Sequence, residues 1–285
     1  MYPLLRALAA LPLPVLYLLS AFLSFVAFDV LRWRREQIDR DLALSFPERA
    51  PRERRAIRRE SCRRFADVFF ETVWGARASE GELRRRVVFE NPDVINEAAA
   101  RGQSVILLAA HCANWEWLLL SGGATFGFPI DAVYQPQRLA GIDRFLRETR
   151  ARFGGSPIPQ GEFVFELMNR AGGLRGYALI ADQMPRRQDR KYWTRLLNRD
   201  TAFFVGAEKI ARFLDSPVLY VGIRRLRRGY YSVRFVTLAA PPYDGGDAVP
   251  IMESFARQLE ASVRAAPADW LWLQKRWKYA RPAGE

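Results

Sequence analysis

Histidine and cysteine are nearly missing: the 285 residues contain one His, His111, and two Cys, Cys62 and Cys112. Two thiols build no disulfide framework, and a zinc site needs Cys or His ligands that the chain does not have. A reducing compartment fits this usage, and no metal is expected. There is no internal repeat, no low-complexity tract and no nucleic-acid module signature, so nucleic acid is not an expected partner. Charge is absent from residues 7–28. At 1.5 Å per residue this is roughly 33 Å of helix, the thickness of a bilayer's hydrocarbon core, with Pro12 and Pro14 expected to bend it or delay its start. The stretch reads as an N-terminal transmembrane helix. A cleaved signal peptide is the rival reading, opposed by a leader carrying only Arg6, by the length of the apolar region and by the lack of a small-x-small cleavage pattern before Asp29.

What the chain has in excess is positive charge, 44 Lys+Arg against 31 Asp+Glu and a formal net charge of +13. Anionic partners are expected. Arg32, Arg34, Arg35 and Arg40 follow the uncharged stretch and only Arg6 precedes it, which predicts a single span with the body on the cytoplasmic side. From Arg52 onward Ile57, Phe65, Val68, Phe69 and Val73 recur at helical spacing, while Arg54, Arg55, Arg58, Arg59, Arg63 and Arg64 occupy the other faces. Such arginines are ordinarily a solvated face. Beside an anchor they also suit an anionic membrane surface, where each contributes on the order of 1 kcal/mol. The aromatics here follow the apolar stripe and form no stacking platform for bases.

Beyond residue 80 short apolar runs alternate with helical segments. Strands are predicted at 104–110, 130–134, 177–181, 217–223 and 231–238, and helices at 93–101, 115–121, 142–153, 163–171, 206–214 and 250–265. The last two strands read as a hairpin. The alternation predicts an α/β fold, a mixed, mostly parallel sheet flanked by helices. Three parts result: an anchor (1–30), a basic membrane-proximal helical segment (31–80) and an α/β domain (81–285).

His111 closes the apolar run 105–110 and is followed by Cys112, Ala113, Asn114, Trp115 and Glu116. It therefore falls at the carboxyl end of a buried strand, where open α/β sheets gather reacting groups. With Asn114 as N-cap of the next helix, Glu116 lies in the first turn and can fold back towards the imidazole. A carboxylate on one ring nitrogen leaves the other free to act as a general base. The plainer alternative is a hydrogen-bonded histidine closing a strand beside a first-turn helix charge. Gln135, Gln137, Arg138, Asp182 and Gln183 also follow predicted strands, and Arg150 and Arg152 close a helix. Cys112 points away from its neighbour in an extended segment and reads as a packing residue, not a nucleophile.

The segment from His111 to Trp117, Asp182-Gln183, residues 206–211, Ser45-Phe46-Pro47-Glu48 and the closing Trp270-Leu271-Trp272-Leu273-Gln274-Lys275-Arg276-Trp277-Lys278 together resemble the late acyltransferases of lipid A biosynthesis. These are lauroyl and myristoyl transferases within the lysophospholipid acyltransferase superfamily, and the likeness runs over nearly the whole chain. It implies His111 as catalytic base, Glu116 as its support, and roles at the substrate for Arg150, with Arg147 and Arg152 close by, and for Asp182. Gln183, Asn114 and Arg138 complete the expected substrate-binding set. The resemblance further implies O-acyl transfer from an acyl carrier protein to a lipid acceptor at the inner membrane, without a cofactor. Leu196-Leu197-Asn198 departs from the Phe-Phe-Gly of many members. The Phe-Pro-Glu-Gly segment of the glycerolipid branch is absent downstream of His111, which disfavours a lysophospholipid acceptor. Another glycolipid or an amino-acid lipid as acceptor, and a non-enzymatic protein of anionic membranes, are the alternatives. The aromatic segment 270–279 suits either a membrane interface or a core.

Overall fold

The apolar run before His111 becomes the strand around which the sheet is laid. The computed structural model describes residues 1–170, 172–243 and 250–282. Its N-terminal part is helical: α1 (Tyr2–Leu8), α2 (Leu13–Ser24) continued by a π-helical turn (Phe25–Val30), α3 (Arg35–Ser45), α4 (Pro51–Gly75) and α5 (Glu80–Arg86). There follow β1 (Val87–Phe89), α6 (Asp93–Ala100), β2 (Val105–Ala109), α7 (Trp115–Phe126), β3 (Ile130–Tyr134), α8 (Ala140–Arg150), β4 (Gly155–Pro159), α9 (Phe163–Arg170) and β5 (Gly176–Ile180). The hairpin β6 (Lys191–Leu196) and β7 (Arg199–Phe204), then α10 (Gly206–Leu214), β8 (Val218–Arg227), β9 (Tyr230–Ala239) and α11 (Ile251–Ala265), complete the order.

Seven strands form one sheet in the order β1-β9-β8-β2-β5-β3-β4, and every neighbouring pair is parallel except the β8/β9 hairpin. This is the mixed, mostly parallel sheet that the alternation predicts. All five residues of β2 are buried, which a central strand with helices on both faces requires. Strand β4 departs from expectation because it contains Pro157 and Pro159; it pairs with β3 alone, and an edge is where a strand tolerates residues without an N–H. The β6/β7 hairpin turns at Leu197 (φ 50°) and Asn198 (φ 64°), both left-handed as its two-residue loop demands. Leu196 and Leu197 are fully buried, so the Leu-Leu-Asn departure is a turn seated in the core. Ala171, the last residue of the predicted 163–171 helix, lies outside the described residues.

The uncharged N-terminal stretch is broken as its prolines predict, with Pro12 as N-cap of α2 and Pro14 in the first turn. One helix among the described residues, Leu13–Val30, is long and apolar enough to cross a membrane. Its inner side rests on α4: Leu13 and Leu16 join the main core, Tyr17 OH donates to Glu71 (2.7 Å) and Ser20 Oγ donates to Asp67 (2.7 Å). One buried apolar cluster extends from Leu13 to Leu273. Helix, basic segment and sheet thus share a core. Several arginines of α4 are paired and not merely solvated, Arg58 with Asp39 (2.8 Å) and Arg64 with Asp269 (2.6 Å); Arg55, Arg59 and Arg63 are exposed, Arg63 also meeting Glu60 (2.7 Å).

Candidate active site

Strand β2 ends at Ala109, and the chain passes through Ala110 to His111 at the carboxyl edge of the sheet. The parallel pairing of β2 with β5 aligns Ala109 with Ile180. Continued two places, that register brings His111 opposite Asp182. The Asp182 carboxylate meets the imidazole Nδ1 at 2.7 Å and accepts the His111 backbone N–H at 3.1 Å. Its second oxygen also accepts from Trp270 Nε1 (2.8 Å) and Gln274 Nε2 (3.2 Å). Burial acts to raise the carboxyl pKa, but the nearby His111 charge, the bonds from His111 and Trp270 and the Arg276 charge outweigh it and hold Asp182 at about 2. Asp182 is an anion at physiological pH.

The imidazole is therefore held by Asp182, not by Glu116 as the spacing predicts. Glu116 instead takes a bidentate bond from Arg150, Nε to Oε2 at 2.9 Å and Nη2 to Oε1 at 2.5 Å. Burial pushes the Glu116 pKa up, while the charge and bonds of Arg150 and the charge of His111 bring it below its ordinary value. Arg150 Nη1 is buried without a hydrogen-bond partner, and its guanidinium lies 5.4 Å from the Tyr134 ring centroid. Trp115 sets its ring edge-on to His111 at 5.0 Å. The result is two adjoining pairs, a histidine with an aspartate and a glutamate with an arginine.

The backbone around His111 is clamped by the C-terminal segment. Leu271 N–H donates to the His111 carbonyl (3.0 Å), Ala113 N–H donates to the Asp269 carbonyl (2.8 Å), and Cys112 bridges Trp270. Asn114 is the N-cap of α7, as expected, accepting from Trp117 N–H at 2.8 Å. Its Nδ2 donates to Glu71 (2.7 Å), and the side chain is fully buried. Among the described residues no group of His, Cys, Asp and Glu is arranged to hold a metal ion. A histidine whose Nδ1 is bound to an aspartate retains Nε2 to take a proton, and a half-buried arginine with an unpartnered Nη1 nearby can meet negative charge; together they suit acyl transfer by general-base catalysis.

A profile of the bacterial lipid A biosynthesis acyltransferases matches residues 2–279. The chain belongs to this family. The lipid A biosynthesis acyltransferase of Haemophilus influenzae is 23% identical over 248 residues, which cover 84% of this chain and 74% of that protein. The chain is thus an acyl-transferring enzyme of lipid A synthesis.

Placed on this lipid A acyltransferase, the expected site residues separate into three groups. His111, Asp182, Glu116 and Arg150 come together. Of the neighbouring arginines, Arg152 donates to the Gly75 carbonyl (2.6 Å) at the end of α4, so Arg150 alone reaches Glu116. Asn114 leaves the substrate-binding set, because it is buried and both ends of its amide serve the scaffold. Arg138 and Gln183 are exposed in loops after β3 and β5, on the sheet edge that carries His111. The residues not singled out are Trp270, Gln274 and Arg276. The aromatic segment is core: Trp270, Trp272, Leu273 and Arg276 are buried. Arg276 sits over the Phe203 ring (4.7 Å) and donates to the Ala202 carbonyl (2.6 Å), and burial without a bonded carboxylate drops its pKa to about 10.

Proposed function

We propose that this acyltransferase moves a fatty acyl chain from the thioester of an acyl carrier protein to a hydroxyl of a lipid A precursor at the cytoplasmic leaflet of the inner membrane. His111 Nε2 removes the hydroxyl proton as that oxygen attacks the thioester carbonyl, and Asp182 balances the imidazolium that forms. The tetrahedral intermediate collapses with loss of the carrier thiolate, which takes the proton back from His111. Glu116 holds Arg150 rigid, and the unpartnered Nη1 meets the negative charge of the oxyanion or of a substrate phosphate. The observation that carries this reading is the His111–Asp182 bond with Nε2 left over, in a chain of the lipid A acyltransferase family.

The excess of cationic side chains supports both proposed partners, since acyl carrier proteins are acidic and lipid A precursors carry phosphates. The test compares acyl carrier protein and coenzyme A thioesters of the same acyl chain, with a purified, under-acylated lipid A precursor. The reading expects the carrier thioester to be used faster and the new acyl group to be released by mild alkali, as an ester is. Preference for the coenzyme A donor, or an alkali-stable amide product, contradicts it.

A further inference from the structure

The uncharged helix and its flanks are built in a way that does not suit a span. Helix α2 runs antiparallel to α4, as the pairs Ser20 with Asp67 and Tyr17 with Glu71 show. Those two acids are not spare. Asp67 also accepts from Arg225 (2.7 Å) and Arg228, and Glu71 accepts from Tyr231 (2.5 Å) and from Asn114, the cap of the catalytic helix α7. If α2 crossed the bilayer while docked, these charges and the catalytic domain behind them would sit at membrane depth. Each Arg or Asp there costs about 3 kcal/mol or more. If it undocked in order to cross, Glu71 would lose a donor and the core would lose Leu13 and Leu16.

Both ends of the stretch also return to the same body. Before α2, Tyr2 donates to Glu148 of α8, and Leu5 and Ala9 pack with Val73, Ala76 and Phe145. After it, Arg34 donates to the Leu273 carbonyl in the segment that clamps the site. A transmembrane helix has its ends on opposite sides of the membrane. One folded body cannot hold both.

The outer side of the helix has the composition of a lipid contact. Val15, Leu18, Phe22 and Phe25 recur at i, i+3, i+7 and i+10, and 40, 73, 68 and 57% of their respective surfaces is exposed. Exposed Leu31 and Trp33 continue the patch, and exposed Arg32, Arg59 and Arg63 stand on the adjoining segments. An apolar stripe with arginines and a tryptophan nearby complements an anionic headgroup layer above acyl chains.

We propose that Leu13–Val30 lies in the plane of one leaflet, docked along α4, with Val15, Leu18, Phe22 and Phe25 in the acyl-chain region, and does not cross the bilayer. This rests on the membrane-surface reading above and specifies its geometry.

The test is spin-label depth measurement on the full chain bound to anionic vesicles, with single labels at positions 15, 18, 22 and 25; both native cysteines are buried. An in-plane helix gives four similar, shallow depths, whereas a span spreads ten residues over about 15 Å of depth. A protease site added before Met1 supplies a readout that needs no substitution in the helix: it is cleaved from the side that carries the body if the helix lies in-plane, and protected if it spans. Graded depths with a protected tag overturn the in-plane geometry and leave the membrane reading standing. Failure to bind anionic vesicles overturns both.

Discussion

At Asp182 the two carboxylate oxygens have different work. Oδ2 accepts from the His111 backbone, Trp270 and Gln274, so in Asp182→Asn the amide oxygen must take that place and the amide NH2 must face His111 Nδ1. That arrangement puts the imidazole proton on Nε2 and removes the base. Asp182→Asn is expected to lose roughly 10²- to 10⁴-fold in acyl transfer with its circular dichroism unchanged. A stability prediction accompanies it. Because the folded value of Asp182, about 2, lies below its ordinary 3.8, its contribution is complete above that ordinary value and is lost as pH falls through about 2. The unfolding free energies of wild type and Asp182→Asn, measured by denaturant titration, should converge over that window. At the neighbouring pair, Arg150→Ala strands Glu116 and should cost about 3 kcal/mol in the same titration. Adding Glu116→Gln should recover much of the stability and none of the activity. In the sequence, His111, Glu116, Arg150 and Asp182 were visible as chemistry-bearing residues beside strand and helix ends, but their pairing was not. It depends on the β2/β5 register, which brings together residues 71 apart, whereas local spacing offers only Glu116.

The helices carry the site through their ends. Helix α7 begins at Asn114, whose cap also ties it to Glu71 in α4. Asn114→Ala should destabilise by at least about 1 kcal/mol, read as a lower Tm, and should lower kcat by shifting His111 and Glu116 together. Elements with a strong period or a long apolar run, β2, β3, β8, α10 and α11 among them, are readable from the order of residues alone. The strands missed are β1, with three residues, β4, disguised by its prolines, and the β6/β7 hairpin, which lies outside the main sheet, and the short helix α5 is missed as well. The apolar run of β1 is too short to stand out, β4 has none, and the hairpin opens on Lys191 and closes its loop with Arg199 and Asp200, so the pattern by which a strand announces itself is incomplete in each. The segment 270–273 is apolar throughout, but only the fold shows that its Trp270 seals the back of Asp182.

Across the whole molecule one core runs from α2 to the C-terminal tryptophans, so the helix proposed to meet lipid and the candidate active site are expected to unfold together. Vesicle binding should weaken as salt rises, because exposed arginines supply the electrostatic share, and should retain an apolar remainder from the α2 stripe. Co-sedimentation over a salt series reads both. The measurement that tests the central claim most directly is radiolabelled acyl transfer from acyl carrier protein thioester to an under-acylated lipid A precursor, by wild type and by His111→Ala with verified fold. The wild type should form the more acylated product and His111→Ala at least about 10²-fold less. Equal product from the two proteins would contradict general-base catalysis by the single histidine.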